Sequence, residues 1–264
     1  MSGLSRLSIK RWVGLVLLGL LLVLAVGEPL LLNGDPNKQN LSAGLISPNV
    51  QYWLGTDQYG RNMLARIAGG LRISFLLALF CVGTAAVSGV LAGVLAAWQR
   101  GWIDITLNFI ANTILALPGL VLILIFAALI PGSFAMLYLA ISLVLWVEFF
   151  RVVRALTLPV ISGPQLQSSQ ILGFGPVYLF RRHIWPAIRH DVFSLAAFGA
   201  ATSIIAMSSV GFVYVGLKPP TPELGLMIVE LFPYYHEAPW LLAEPITVLF
   251  MLVLGFHLLA DKPQ

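Results

Sequence analysis

Arg151, Arg154, Arg181, Arg182 and Arg189 stand in one stretch of sequence with no Asp or Glu among them. They form the largest run of arginines in the chain uninterrupted by an acid. Guanidinium groups in such a set do recognition chemistry, because each can grip a carboxylate or a phosphate through two parallel hydrogen bonds. Catalytic chemistry has little to work with. The histidines His183, His190, His236 and His257 are scattered and form no His-x-x-x-His pair. The one cysteine, Cys81, lies inside an apolar run, so neither an internal disulfide nor a Cys/His metal cluster is available. No GxxxxGK[ST] phosphate loop occurs, so the chain carries no nucleotide motor of its own. Neither a metal site nor a cofactor is expected. No basic stripe is interleaved with stacking aromatics, which speaks against a nucleic-acid partner. Glu148 is the one acid well inside an apolar block. It reads as a local ion pair with Arg151 or as a functional buried acid.

The elements that must position these groups are membrane helices. The chain has 264 residues, of which 59% are hydrophobic and 10% charged. Soluble domains carry about 25% charged residues. With a mean hydropathy of +0.91, the bilayer has to be the solvent. Six apolar blocks are expected to span it: Trp12–Leu32, Ile73–Ala97, Ile105–Ile130, Phe134–Ala155, Val192–Val213 and Leu241–Ala260. The first is longer than a signal-peptide core and no small-x-small cleavage site follows, so it reads as an uncleaved helix. Pro118, near the middle of the third, either kinks the span for movement or is simply tolerated. Gly89 and Gly93 form a GxxxG pair that lets another backbone come close.

Charge sets the orientation. With the N-terminus inside, ten Lys and Arg fall on cytoplasmic segments: Arg6, Lys10, Arg11, Arg100, Lys262 and the five arginines above. Five fall outside: Lys38, Arg61, Arg66, Arg72 and Lys218. That bias places both termini in the cytoplasm. The three outer arginines oppose the rule, and a structural role inside a patterned segment accounts for them. The expected protein is all-α and polytopic with six transmembrane helices. Residues 1–72 form an anchor helix and outer loop. Residues 73–264 form a core of five helices with a cytoplasmic loop over 156–190.

Two loops are too patterned to be mere connectors. In the cytoplasmic loop a short amphipathic helix is expected over Leu166–Leu172. Gly173 suits its end, where a left-handed residue and a close-approaching partner surface are both accommodated. The loop reads as a docking element for a soluble partner, or as an anchor at lipid headgroups. In the outer run Trp53–Arg66, Asp57 accepts hydrogen bonds in a turn, Gly60 permits the reversal, and Arg61 pairs with an acid or with carbonyls. A second outer loop holds Tyr234, Tyr235, His236, Glu237 and Trp240. It reads either as a contact surface for a partner or as an aromatic belt.

Three segments together resemble the permease subunits of binding-protein-dependent ABC importers, most closely the second ("C") permease of the dipeptide, oligopeptide and nickel branch. The outer run WLGTDQYGRNMLAR is similar to that family's LGTDxxGRDxxSR, with Gly55, Thr56, Asp57, Gly60 and Arg61 on the matching positions. The cytoplasmic loop is similar to EAAxxLG followed by HxxP. Gln167, Ser168 and Ser169 stand at the EAA positions, Leu172 and Gly173 at the LG pair, and His183 and Pro186 at the H and P. GFVYVGLKPPTPELGLMI, Gly211 to Ile228, is similar to FLGLGxxPPxPEWGxM, and FHLLAD, Phe256 to Asp261, to FNLLGD. The departures are Gln167 and the two serines in EAA, Asn62 for Asp, His257 for Asn, and a short tail after Asp261.

The resemblance implies a type I ABC importer permease fold in the bacterial inner membrane. It implies half of a translocation path for a peptide, nickel or metal-chelate substrate. Partners would be a second, similar permease, two ATP-binding subunits, an extracytoplasmic substrate-binding protein and the lipid bilayer. The loop residues Gln167, Ser168, Ser169, Leu172, Gly173, His183 and Pro186 would couple to the ATPases. The rivals are an ion-driven secondary transporter, a multi-pass membrane enzyme and a structural subunit. Nearly charge-free spans oppose the first, and the lack of clustered catalytic groups opposes the second.

Overall fold

An apolar chain with no strand alternation forms helices in a bilayer, since only a helix satisfies its own N–H and C=O groups without water. The computed structural model describes residues 8–31 and 34–261. Its helices are α1 (Ile9–Leu31), α2 (Met63–Gln99), α3 (Gly101–Ile114), α4 (Gly119–Leu129), α5 (Phe134–Ile161), α6 (Pro164–Ile171), α7 (Pro176–Leu179), α8 (Trp185–Phe212), α9 (Leu224–Leu231) and α10 (Pro239–Ala260). A wide π turn, Phe180–Ile184, joins α7 to α8. The expected end of the first span at Leu32 lies outside the described residues.

Three expected boundaries change. The second span begins at Met63 rather than Ile73, because Asn62 caps it by accepting from the Leu64 N–H at 3.0 Å. The patterned run after Gly60 is therefore the first turns of one 37-residue helix. The spans α5 and α8 also run past their apolar blocks, to Ile161 and back to Trp185. The third span is not continuous: α3 and α4 meet at 75°. Pro118 lacks an N–H and bars the helical conformation at the residue before it. The two pieces are about 21 and 17 Å long, and neither alone crosses a hydrocarbon core of roughly 30 Å. Among the described residues, five helices are long and apolar enough to cross a membrane, or six if the bent pair is one span.

The α2–α5 crossing is the heart of the bundle, and the GxxxG pair makes it. A Cβ on Gly93 would stand 2.9 Å from the Phe150 carbonyl and 3.0 Å from the Arg154 nitrogen. On Gly89 it would stand 2.5 Å from the Phe149 Cβ. Phe149, Phe150 and Val153 are fully buried there. The α1 helix packs antiparallel to α10 and also touches α2.

Polar contacts fix which loops share an end. Lys10 Nζ meets Asp261 Oδ2 at 3.3 Å, and Arg11 Nε donates to the Asp261 carbonyl at 2.6 Å. Both ends of the described chain thus lie together, as an even number of crossings requires. At the opposite end the Gly132 N–H donates to the Gly216 carbonyl at 3.1 Å.

The ion pair expected between Glu148 and Arg151 does not form. Arg151 donates to Asn112 Oδ1 at 2.8 Å, and Arg154 grips Asp104 through two bonds of 2.5 Å. The reason is tertiary. The α3 helix lays a polar face of Asp104, Asn108 and Asn112 beside α5, and the arginines turn to it. Glu148 has no ion-pair partner among the described residues.

Candidate functional sites at the two ends of the bundle

At the end away from α6, the run Gly55–Arg61 folds into a buried polar knot. Gly55 and Gly60 hold φ values of +74° and +69°, and a Cβ at either would collide with a carbonyl, of Ile46 or Asn40. Thr56 Oγ1 donates to the Ala43 carbonyl at 2.5 Å and accepts from the Ile46 N–H at 3.0 Å, closing the loop on itself. Asp57 Oδ1 accepts from the backbone N–H of Tyr59 and of Arg61, each at 2.9 Å. Its Oδ2 meets Arg61 Nε at 2.5 Å and Arg66 Nε at 3.4 Å. Both guanidinium groups then reach Glu230 Oε2 on α9, Arg66 at 2.9 Å and Arg61 at 3.5 Å. Two acids and two arginines balance, which is what allows charges to be buried. The structure therefore brings together all five expected residues of this motif. Arg61 and Arg66 are both buried within it. Arg72 donates instead to the Ala25 carbonyl on α1 at 3.2 Å.

Glu223 and Glu230 escaped the reading of residue spacing. Glu223 is fully buried and caps α9, accepting from Gly225 N–H at 2.9 Å, Leu226 N–H at 2.7 Å and the Ser208 hydroxyl at 3.1 Å. Burial pushes its carboxyl above the usual carboxylate range, and these three bonds pull the other way. An acid directly before an apolar helical run was the available signal. Glu230 had none, since nothing local announces a partner more than 160 residues back along the chain. In the same loop Tyr235 packs on Phe232 and His236, with ring centroids 5.7 and 3.7 Å apart.

At the α6 end, the short helix runs Pro164–Ile171 and starts two residues before the expected Leu166. Gly163 precedes it and Pro164 takes the first-turn position where its missing N–H costs nothing. Leu166 is 1% exposed and roots the helix in the core. Ile171 and Leu172, at the far end, are 87% and 75% exposed. Gln167 Nε2 reaches the Ser162 carbonyl at 3.4 Å. Ser168 is exposed. Ser169 Oγ lies 2.9 Å from His183 Nε2, which joins the two halves of the motif. Pro186 opens α8 and, with Gly163, Leu166, Arg182 and His183, lines a recess of about 470 Å³.

Gly173 adopts φ +80° just past the helix end. A Cβ there would meet nothing within 4 Å. The chain itself needs the left-handed backbone but not the empty space. Phe174 stacks on Tyr178 at 4.3 Å, and Val177 is exposed. The result is an apolar tip, rooted by Leu166, with the exposed Arg181 and Arg182 beside it. Such a tip is complementary to an apolar cleft rimmed by acids.

The described chain thus carries a buried polar knot at one end, a rooted apolar tip at the other and an apolar helical bundle between them. Residues 89–261 match the family described as binding-protein-dependent transport system inner membrane component, and the chain belongs to that family. It is an all-α polytopic membrane protein, the permease subunit of an ABC importer. It is 30% identical to the dipeptide transport system permease protein DppC of Haemophilus influenzae, over 94% of this chain and 86% of that one. It is 28% identical to DppC of Alkalihalophilus pseudofirmus, over 94% and 82%. It is 32% identical to the glutathione transport system permease protein GsiD of Shigella dysenteriae, over 84% and 72%.

Proposed function

We propose that this chain forms half of the path by which a short peptide crosses the bacterial inner membrane, and that α6 and its flanks couple it to separate ATPases. The other half comes from a second, similar permease. Two ATP-binding subunits sit beneath, and an extracytoplasmic binding protein delivers the substrate to the end bearing the Asp57 knot. The relatives' names speak of dipeptides and glutathione, which favours a peptide over nickel or a metal chelate. Residues 1–72 serve as anchor and outer loop for a core over 73–264, with both termini in the cytoplasm.

The observation that carries the coupling role is the pair of exposed apolar residues Ile171 and Leu172 on a helix whose other end is buried. Two bare aliphatic side chains in an aqueous loop are unfavourable by about 1.5–3 kcal/mol each relative to burial. An ATPase cleft removes that cost and gains a lever: Leu166, Ser169 and His183 tie the helix to the spans. Closure of the ATPases would then move α5 and α8 together.

The test is co-purification of the ATPase subunits with uptake of a labelled dipeptide. Gly173→Arg places a bulky cation where the chain leaves open space and a partner surface would come close. It is expected to leave the chain in the membrane, release the ATPases and abolish uptake. Normal values of both would remove α6 as the coupling element.

A further inference from the structure

A trough runs along one flank of the bundle. It consists of two apolar chambers, of about 690 and 340 Å³, that share Phe193 and Ala196. On α2 its lining residues recur with the helical period from Phe75 to Leu91, a path on the order of 24 Å at 1.5 Å per residue. The opposite wall is α8, where alanines leave the floor low, and α1 and α10 close the larger chamber with Leu15, Leu22 and Phe256 among others. The space is a true lateral opening: a Cβ on Gly83 would meet nothing within 4 Å.

The α8 wall does not end at the trough. Trp185, Arg189, Phe193, Ala196 and Ala200 follow one another at helical spacing, so Arg189 stands on the trough's own face, one turn beyond Phe193 toward the α6 end. Arg189 is exposed and has no hydrogen-bond or ion-pair partner among the described residues. On α1, Lys10 and Arg11 are both held by Asp261, whereas Arg181 and Arg182, before α8, are exposed. An apolar channel thus leads toward the Arg189 guanidinium, which among the described residues carries no hydrogen bond or ion pair, at the α6 end of the bundle.

We propose that this trough binds one anionic phospholipid, with an acyl chain between α2 and α8 and its phosphate on Arg189. Hydrocarbon suits a lining that offers almost no polar surface. The hydroxyls that could meet a polar ligand lie elsewhere: Thr84, Ser88 and Ser142 face a separate recess of about 430 Å³ between α2, α3 and α5. Arginine pairs with phosphate through two bonds, and anionic headgroups are drawn to free cations at the membrane surface. A helix from a partner subunit is the alternative occupant of the apolar part, and the cross-linking arm below tests for it. The inference needs only that the chain spans a bilayer, and so stands apart from the substrate and coupling roles above.

The assembled transporter, purified in mild detergent after equilibration with vesicles of phosphatidylglycerol and phosphatidylethanolamine, provides the test. Native mass spectrometry of the released chain should find one retained phosphatidylglycerol. Arg189→Gln should lower its occupancy about fivefold, as expected for the roughly 1 kcal/mol of one cation at a charged surface. Arg189→Lys should restore most of it. Gly83→Leu, which fills the larger chamber, should displace the phosphatidylglycerol. Equal phosphatidylglycerol retention in the unsubstituted chain and Arg189→Gln would overturn the proposal, whatever Gly83→Leu does. So would efficient cross-linking of Gly83→Cys to another subunit in the assembled transporter, because protein would then occupy the trough.

Discussion

Replacing Asp57 with Ala should be the most damaging single change in the outer knot. It removes the acceptor of two backbone N–H groups at 2.9 Å and the partner of Arg61 at 2.5 Å and Arg66 at 3.4 Å. Arg61 and Arg66 are 2% and 1% exposed, so water cannot take its place. They would be left sharing Glu230, which Arg61 meets only at 3.5 Å. Removing one member of a buried charge pair costs about 3–5 kcal/mol. Orphaned turn N–H groups belong to the same order, about 1 kcal/mol each. A total loss of about 5 kcal/mol corresponds to roughly 15 °C in melting temperature for a chain of this size. Asp57→Asn keeps an oxygen for the two N–H groups and loses the charge, so it should fall about midway. Cys81, the sole cysteine and fully buried, supplies the assay: a thiol-reactive dye reports its exposure as the solubilised protein is heated. Lys38→Ala, which removes an exposed charge from the same loop, is the control and should melt unchanged. If Asp57→Ala melts within about 1 °C of the unsubstituted chain, the knot is not a stabilising element and the reasoning fails.

The two serines at the EAA positions should part company. Ser169→Ala loses the bond to His183 and about 1 kcal/mol with it, lowering ATPase retention in a pull-down, whereas Ser168→Ala, at an exposed position, should behave as the unsubstituted chain. Asp104→Ala breaks a pair whose members are only partly buried. It should cost about 1 kcal/mol after allowance for solvent screening, a drop of a few degrees in the same melting assay. A cysteine placed at Gln39 should react with a membrane-impermeant reagent applied from outside the cell, and reaction only after the cytoplasmic face is opened would invert the topology.

Where helices lie was largely legible from composition and period alone. A block of about 20 apolar residues has one stable answer in hydrocarbon, and the block centres are correct for α1, α2, α5, α8 and α10. Short-range chemistry was legible too. Asp57 accepting from Arg61, the glycine reversal at Gly60 and a short helix ending before Gly173 are all decided within a few residues of one another. The family resemblance placed these same residues, and the match to binding-protein-dependent transport components agrees with it.

The partners were not legible. Arg151 was assigned to Glu148 because they are neighbours on one helix, yet Asn112 and Asp104 on α3 draw Arg151 and Arg154 away. Glu230 carried no local mark of its place beside Arg61 and Arg66. The break at Pro118 could be foreseen as a possibility, but its 75° angle depends on how α3 and α4 each pack. The trough beside α2 exists only because α1, α8 and α10 come together around it without filling it. Period and composition report how much of a residue must leave water. They do not report which distant group it will meet, because that choice is made only when the helices are brought side by side.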